Sequence, residues 1–217
     1  MALPVYFLSP NMFGWCAGEN GALISPTETK PTELLIFDDR NALPEDCGRL
    51  VNELHEAVEK AGAKTLLLDL ERPPSPAAEQ LIEAMAKIVP TVAPENYGQG
   101  SGFTPLVTYD PGKELFEEFQ SRIKPGSWLE LRPVDRYIRY PAEKAEIGID
   151  TDEYSAQLQC RYCIKASEDG YILRLYDTPR TFQERFTLLS PRFAAAVGLK
   201  HELDGIKFTI LKICKLC

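Results

Sequence analysis

Thr65-Leu66-Leu67-Leu68-Asp69-Leu70-Glu71 places two carboxylates at positions i and i+2 of a strand-like run. Side chains alternate faces along a strand, so Leu66, Leu68 and Leu70 share one apolar face. Leu67, Asp69 and Glu71 share the other. Two carboxylates about 7 Å apart on one face can divide labour, one staying ionised while the other keeps a proton and acts as a general acid. Burial at the inner end of the strand would raise the pKa of at least one of them. The bland alternative is a solvated strand end, with the pair held by Arg72.

Cysteine offers a second chemistry. Cys160-Arg161-Tyr162-Cys163 and Cys214-Lys215-Leu216-Cys217 both have the C-x-x-C spacing of half a zinc site or a redox pair. Four-cysteine zinc motifs place their pairs roughly 15–20 residues apart. Here fifty residues intervene, and the first pair lies in a strand-like run rather than a tight knuckle. The expectation is scattered reduced thiols, with no metal and no cofactor. Cys16 and Cys47 add nothing specific.

The chain that must position these groups has 217 residues, 44% of them apolar and 26% charged. This is globular composition, long enough for a sizeable core without staples. A formal charge of -8 argues against nucleic acid, whose binders need a basic surface to displace phosphate counterions. A neutral ligand suits this balance better. No window approaches the roughly 20 apolar residues of a membrane span. The first residues lack a basic signal-peptide start, so the protein is expected in the cytosol, or outside it with an export signal already removed. Oligomeric state is left open.

Short apolar strands alternate with amphipathic helices. Helices are expected over 46–61 with Gly62 as a stop, from Ser75-Pro76 onward, over 113–123, and from Thr178-Pro179. A Gly-, Asn- and Pro-rich loop is expected around Gly14–Pro26, a hairpin over 157–165 and 171–176, and a strand or short helix at 206–217. Strand centres at Val5, Leu34, Leu66, Val92, Val107, Leu129, Ile172 and Ala195 make eight. Strands in this rhythm predict an α/β fold, a compact (β/α)8 TIM barrel in which several helices are shortened to loops. It would be one domain over 1–217 with a β-hairpin insertion near 154–176. An open doubly wound sheet is the alternative, although its Gly-rich phosphate turn is absent.

Sites in both architectures form at the carboxyl ends of the strands. Asn96 and Tyr97 follow one strand and could contact ligand hydroxyls, or simply form a loop. Glu130 and Arg132 share a face and read first as an internal ion pair, with Arg132 a substrate contact otherwise. Asp38, Asp39 and Arg40 end a strand at the same rim and could serve either role. His55 reads as a solvated helix position. Tyr137, Tyr140 and Tyr154 could stack on the rings of a ligand or cover a barrel end.

Three segments together resemble glycoside hydrolase family 18, the chitinases and endo-β-N-acetylglucosaminidases. Leu68-Asp69-Leu70-Glu71-Arg72-Pro73 is similar to the family's catalytic Asp-x-Glu strand. Leu106-Val107-Thr108-Tyr109-Asp110 is similar to its Met-x-Tyr-Asp strand. Tyr176-Asp177-Thr178-Pro179 and Ala196–Asp204 resemble its last helix and closing strand. The resemblance implies a (β/α)8 barrel acting on an N-acetylglucosamine-containing glycan by substrate-assisted hydrolysis. Glu71 would be the general acid. Asp69 would orient the N-acetyl group, and Tyr109 with Asp110 would hydrogen-bond it. His201, with Glu202 beside it, falls where the family places the aromatic floor, usually Trp. Two further Asp positions of the family pattern are Lys64 and Leu67. A barrel that binds carbohydrate without cleaving it, or serves as a scaffold, is the alternative function.

Overall fold

The computed structural model describes residues 3–27, 30–97, 102–141 and 151–204. These divide into two compact units, one spanning Leu8–Val107 and one made of the remaining described residues. The elements in chain order begin with β1 (Val5–Leu8), counted with the second unit up to Phe7.

The first unit holds β2 (Trp15–Ala17), β3 (Leu23–Ile24), β4 (Leu34–Asp38), α1 (Gly48–Ala61), β5 (Thr65–Asp69), α2 (Pro76–Ala86), β6 (Thr91–Pro94) and β7 (Thr104–Val107). Its strands run in the order β7-β6-β5-β4-β2-β3. The β2/β4, β4/β5, β5/β6 and β6/β7 pairs are parallel, and only β3 runs antiparallel to its neighbour. In α1 the buried residues Leu50, Leu54, Ala57, Val58 and Ala61 fall on one stripe. The helix stops at Gly62, whose φ of +67° is left-handed and suits a residue without Cβ. Ser75 caps α2, its Oγ accepting from Ala78 N at 3.2 Å, and Pro76 follows where no N–H is needed. Leu66, Leu68 and Leu70 join Leu54, Leu81 and Ile82 in one core cluster, the face expected from alternation. Burying each such side chain contributes about 2 kcal/mol.

The second unit adds α3 (Phe116–Arg122), β8 (Trp128–Glu130), β9 (Asp135–Pro141), β10 (Thr151–Ser155), β11 (Cys160–Ser167), β12 (Gly170–Tyr176), α4 (Pro179–Leu189), β13 (Ala195–Leu199) and α5 (Lys200–Leu203). β13 lies between β1 and β8 and is parallel to β8. Tyr6 of β1 stacks on Trp128 of β8 with centroids 5.2 Å apart. Gly198 is needed where β13 passes Leu131, because a Cβ there would sit 2.7 Å from the Leu131 carbonyl oxygen.

The remaining four strands form a separate antiparallel sheet in the order β10-β11-β12-β9. This corrects the strand count made from sequence. Ile172 sits in β12, paired antiparallel with β11 and β9, and is not one of the parallel series. The parallel strand not anticipated is β2, inside the segment read as a Gly-rich loop. Three residues are too few to show a period, and only pairing with β4 makes them a strand. Tail residues 206–217, including Cys214 and Cys217, lie outside the described residues. No described helix is long and apolar enough to cross a membrane.

Candidate active site

β4 and β5 run parallel in register, Phe37 opposite Leu68 and Asp38 opposite Asp69, so they end at the same level. Just beyond that level the chain gives Asp39-Arg40 on one strand and Leu70-Glu71-Arg72 on the other. Between these segments and Phe13 opens a cleft of about 600 Å³. Asp69 is half-buried on the face opposite the helices, above the fully packed Leu67. Glu71 is exposed at the cleft, and among the described residues nothing hydrogen-bonds or ion-pairs its carboxylate. Burial therefore reaches Asp69 only in part and Glu71 not at all. Among the described residues the alternative, a pair held by Arg72, does not form, since the Arg72 guanidinium lies on main-chain carbonyls.

Arg72 and Asp39 instead fasten the main chain. Asp39 is 5% exposed. Its Oδ1 accepts from Glu71 N at 3.0 Å and its Oδ2 from Arg72 N at 2.9 Å. Arg72 returns Nε to the Asp39 carbonyl at 2.8 Å and Nη2 to the Arg40 carbonyl at 3.1 Å. The buried Tyr97 hydroxyl donates to the Arg72 carbonyl. Burial, with Asp39 nearby, pushes the Tyr97 phenol up, so it stays protonated and keeps that donor. Arg40 makes a two-point contact with Asp38, Nε to Oδ1 and Nη2 to Oδ2, each 2.6 Å.

Tyr97 is thus part of the core cluster and a support for the Glu71 loop, not an exposed sugar contact. Neighbouring Asn96 is exposed on the turn after β6. Lys64, at one of the two missing acidic positions, is exposed and bonded to Glu33 at 2.7 Å.

The remaining candidates belong to the second unit. Tyr109 is buried, and its hydroxyl donates to the Leu158 carbonyl at 2.8 Å. Its ring meets Phe116 edge-on at 5.4 Å. Burial above all holds its phenol well above the usual range. The hydroxyl expected to face an acetamido group is therefore engaged by main chain. Asp110 accepts from Gly112 N at 3.0 Å and pairs with Arg136. Arg132 is exposed, and the expected ion pair with Glu130 gives way to a hydrogen bond from the Thr108 hydroxyl to Glu130. His201 and Glu202 are exposed in α5, directly after β13. His55 is a helix-surface residue with Nε2 3.5 Å from Glu59.

The first C-x-x-C pair is split by its own strand. Residues three apart on β11 face opposite ways, leaving Cys160 in a small core with Val134 and Leu175 and Cys163 half-buried. Burial, reinforced by Asp177, pushes the Cys160 thiol up to about 12, well away from the thiolate a metal would need. Among the described residues no group of three or more His, Cys, Asp and Glu could hold a metal ion.

The Asp39 clamp was not anticipated, although parallel strands ending at one level place the residue after each strand beside the other. No protein-family model matches the sequence, and no curated protein matches it. Solved structures do. A chitinase from Chromobacterium violaceum is similar over 100% of both chains at 9% identity, with a TM-score of 0.62. A family 18 chitinase from Cycas revoluta, crystallised with an N-acetylglucosamine trimer, is similar over 98% of each chain at 12% identity and TM-score 0.61. The spore cortex-lytic enzyme SleL of Bacillus cereus is similar over 98% of this chain and 74% of its own, at 12% identity and TM-score 0.60. At these identities the likeness is one of fold: a mixed α/β architecture of the kind found in family 18 chitinases and related glycosylases.

Proposed function

We propose that this chain is a glycoside hydrolase cleaving an N-acetylglucosamine-containing glycan, built as a reduced (β/α)8 barrel. The observation that carries the reading is the Glu71 carboxylate. It is unpartnered among the described residues, opens on a 600 Å³ cleft, and stands on a loop fixed from both sides with Asp69 beside it. A fold shared with chitinases at near-complete coverage supports the carbohydrate assignment.

In this reading Glu71 delivers its proton to the glycosidic oxygen as the bond to the anomeric carbon breaks. The sugar's own N-acetyl oxygen takes the vacated position, closing an oxazolinium ring. Asp69 orients the amide and offsets the positive charge that develops on it. The ionised Glu71 then takes a proton from the water that opens the ring, which restores the acid.

The test is hydrolysis of N-acetylglucosamine oligomers by the purified protein and by Glu71→Gln. Wild type should release shorter oligomers, and the variant should lose about a hundredfold or more in rate while still binding the oligomer in calorimetry. Two residues favour a second reading, a barrel that binds glycan without cleaving it. Leu67 stands where the family pattern has an acid, and the Tyr109 hydroxyl is engaged by Leu158. Oligomer binding by wild type with no release of product would select that reading. Neither binding nor cleavage would sink both.

A further inference from the structure

We infer that Asp39 is a positioning residue that fixes the Glu71 carboxyl at the cleft, an inference that rests on the hydrolytic role proposed for Glu71. An ionised carboxylate accepts hydrogen bonds more strongly than a neutral group, and Asp39 directs both oxygens at consecutive amides, Glu71 N at 3.0 Å and Arg72 N at 2.9 Å. Its own amide donates to the Asp69 carbonyl at 3.3 Å, so one residue of the β4 end is tied to both sides of the Asp69–Glu71 step. Asp39 is 5% exposed, and among the described residues its carboxylate accepts from these two amides and forms no ion pair. Its charge is met by main chain alone, which is costly to bury unless the geometry is satisfied. Arg72 closes the loop from outside through the Asp39 and Arg40 carbonyls, and Tyr97 holds the Arg72 carbonyl from beneath. Beyond Arg72, Pro73 and Pro74 fix their own φ and lead straight to the Ser75 cap of α2. The Glu71 side chain, by contrast, has no bond of its own among the described residues. Its place relative to Asp69 is set by the backbone that Asp39 grips.

Proton transfer is sensitive to placement, and a displacement of about 1 Å can cost a hundredfold in rate. In Asp39→Asn the side chain keeps one acceptor and turns an NH2 group toward the second amide, so one of the two bonds is lost. With an aryl glycoside of an N-acetylglucosamine dimer as substrate, kcat of Asp39→Asn should fall about tenfold or more while KM stays within about twofold. Tyr97→Phe, which releases the carbonyl one residue further on, should lower kcat in the same direction by less. Amide hydrogen exchange at Glu71 and Arg72 should accelerate in Asp39→Asn while the amides of β5 keep their protection. Full kcat with accelerated exchange would overturn the positioning role, as would unchanged exchange at both amides. Should Asp39→Asn fail to fold, Tyr97→Phe carries the test: a kcat equal to wild type would overturn the inference, and a selective fall would support it. Wild-type protein without turnover would sink the proposed hydrolysis alone, and the clamp would then stand or fall on the exchange rates.

Discussion

Asp39, a buried residue, and Asp177, whose side chain is buried, each directly follow a strand, β4 in one case and β12 in the other, yet they serve different ends. Asp177 faces a full complement of partners. Arg185 meets it with two nitrogens, Val134 N donates at 2.8 Å, and the Thr181 hydroxyl donates at 3.2 Å. Arg185 also reaches the Gln159 carbonyl and lies over the Tyr109 and Phe182 rings. Both charges of this pair are consumed in holding that part of the second unit together. Asp39 grips only amides, and the acid mounted on those amides is left open to the cleft. An Asp next to a strand end is thus no guide to chemistry by itself. What matters is whether its partners are side chains, which closes the region, or main chain, which fixes a loop and leaves its side chains available.

The sharpest way to break the comparison is at the closed end. The Arg185 and Asp177 side chains are 5% and 3% exposed, so Arg185→Met would leave a buried, uncompensated carboxylate. A loss of about 3–5 kcal/mol in urea unfolding is expected. A loss below about 1 kcal/mol would mean the pair is not what holds that region.

The same region should carry an alkaline weakness. Cys160, fully buried beside Asp177, has its thiol raised from 9.0 to about 12. Between those values the unfolded chain releases the proton while the folded chain keeps it, so stability falls as pH rises through that window. Relative to a Cys160→Val variant, wild type should lose roughly 2 kcal/mol between neutrality and pH 11. Parallel stability curves for the two proteins across that range would contradict the assignment.

Tyr109→Phe tests the reading of that residue as a brace. Removing the hydroxyl leaves the Leu158 carbonyl without its donor and keeps the ring against Phe116 and Phe119. The expected cost is about 1 kcal/mol, measured as a shift in urea midpoint with an unchanged slope.

How much of this was legible in the sequence follows from which forces act locally. The face of β5 that packs on helices could be read because strand alternation is a local rule, and three leucines in phase leave no second solution. α1 and α2 could be read from their apolar stripes, and α2 also from the Ser75-Pro76 start. β2 could not, because three residues carry no period and the strand exists only through pairing with β4. β9 escaped because six of its seven residues are exposed, so no apolar alternation marks it. Ile172 misled for a related reason, since an alternating strand looks the same whether its neighbours are parallel or antiparallel. Among site residues, sequence supplied types and rim positions but not hydrogen-bond partners. Tyr97 and Tyr109 are therefore candidate ligand contacts by sequence, while in the structure each hydroxyl donates to a main-chain carbonyl.

The smallest stability effect belongs to the residue with the largest proposed role. Glu71→Gln removes a charge from an exposed side chain that bonds to nothing among the described residues, and the amide that Asp39 holds is main chain and survives the change. Its unfolding free energy should match wild type within about 0.5 kcal/mol, as for a surface substitution away from any structural contact. A destabilisation of about 2 kcal/mol or more would show that the carboxylate holds the loop as Asp39 does, and the contrast between a gripping acid and a free one would be lost. Unchanged stability joined to lost hydrolysis is the combination expected of a free, working acid, because a side chain that braced the fold would move both measurements together.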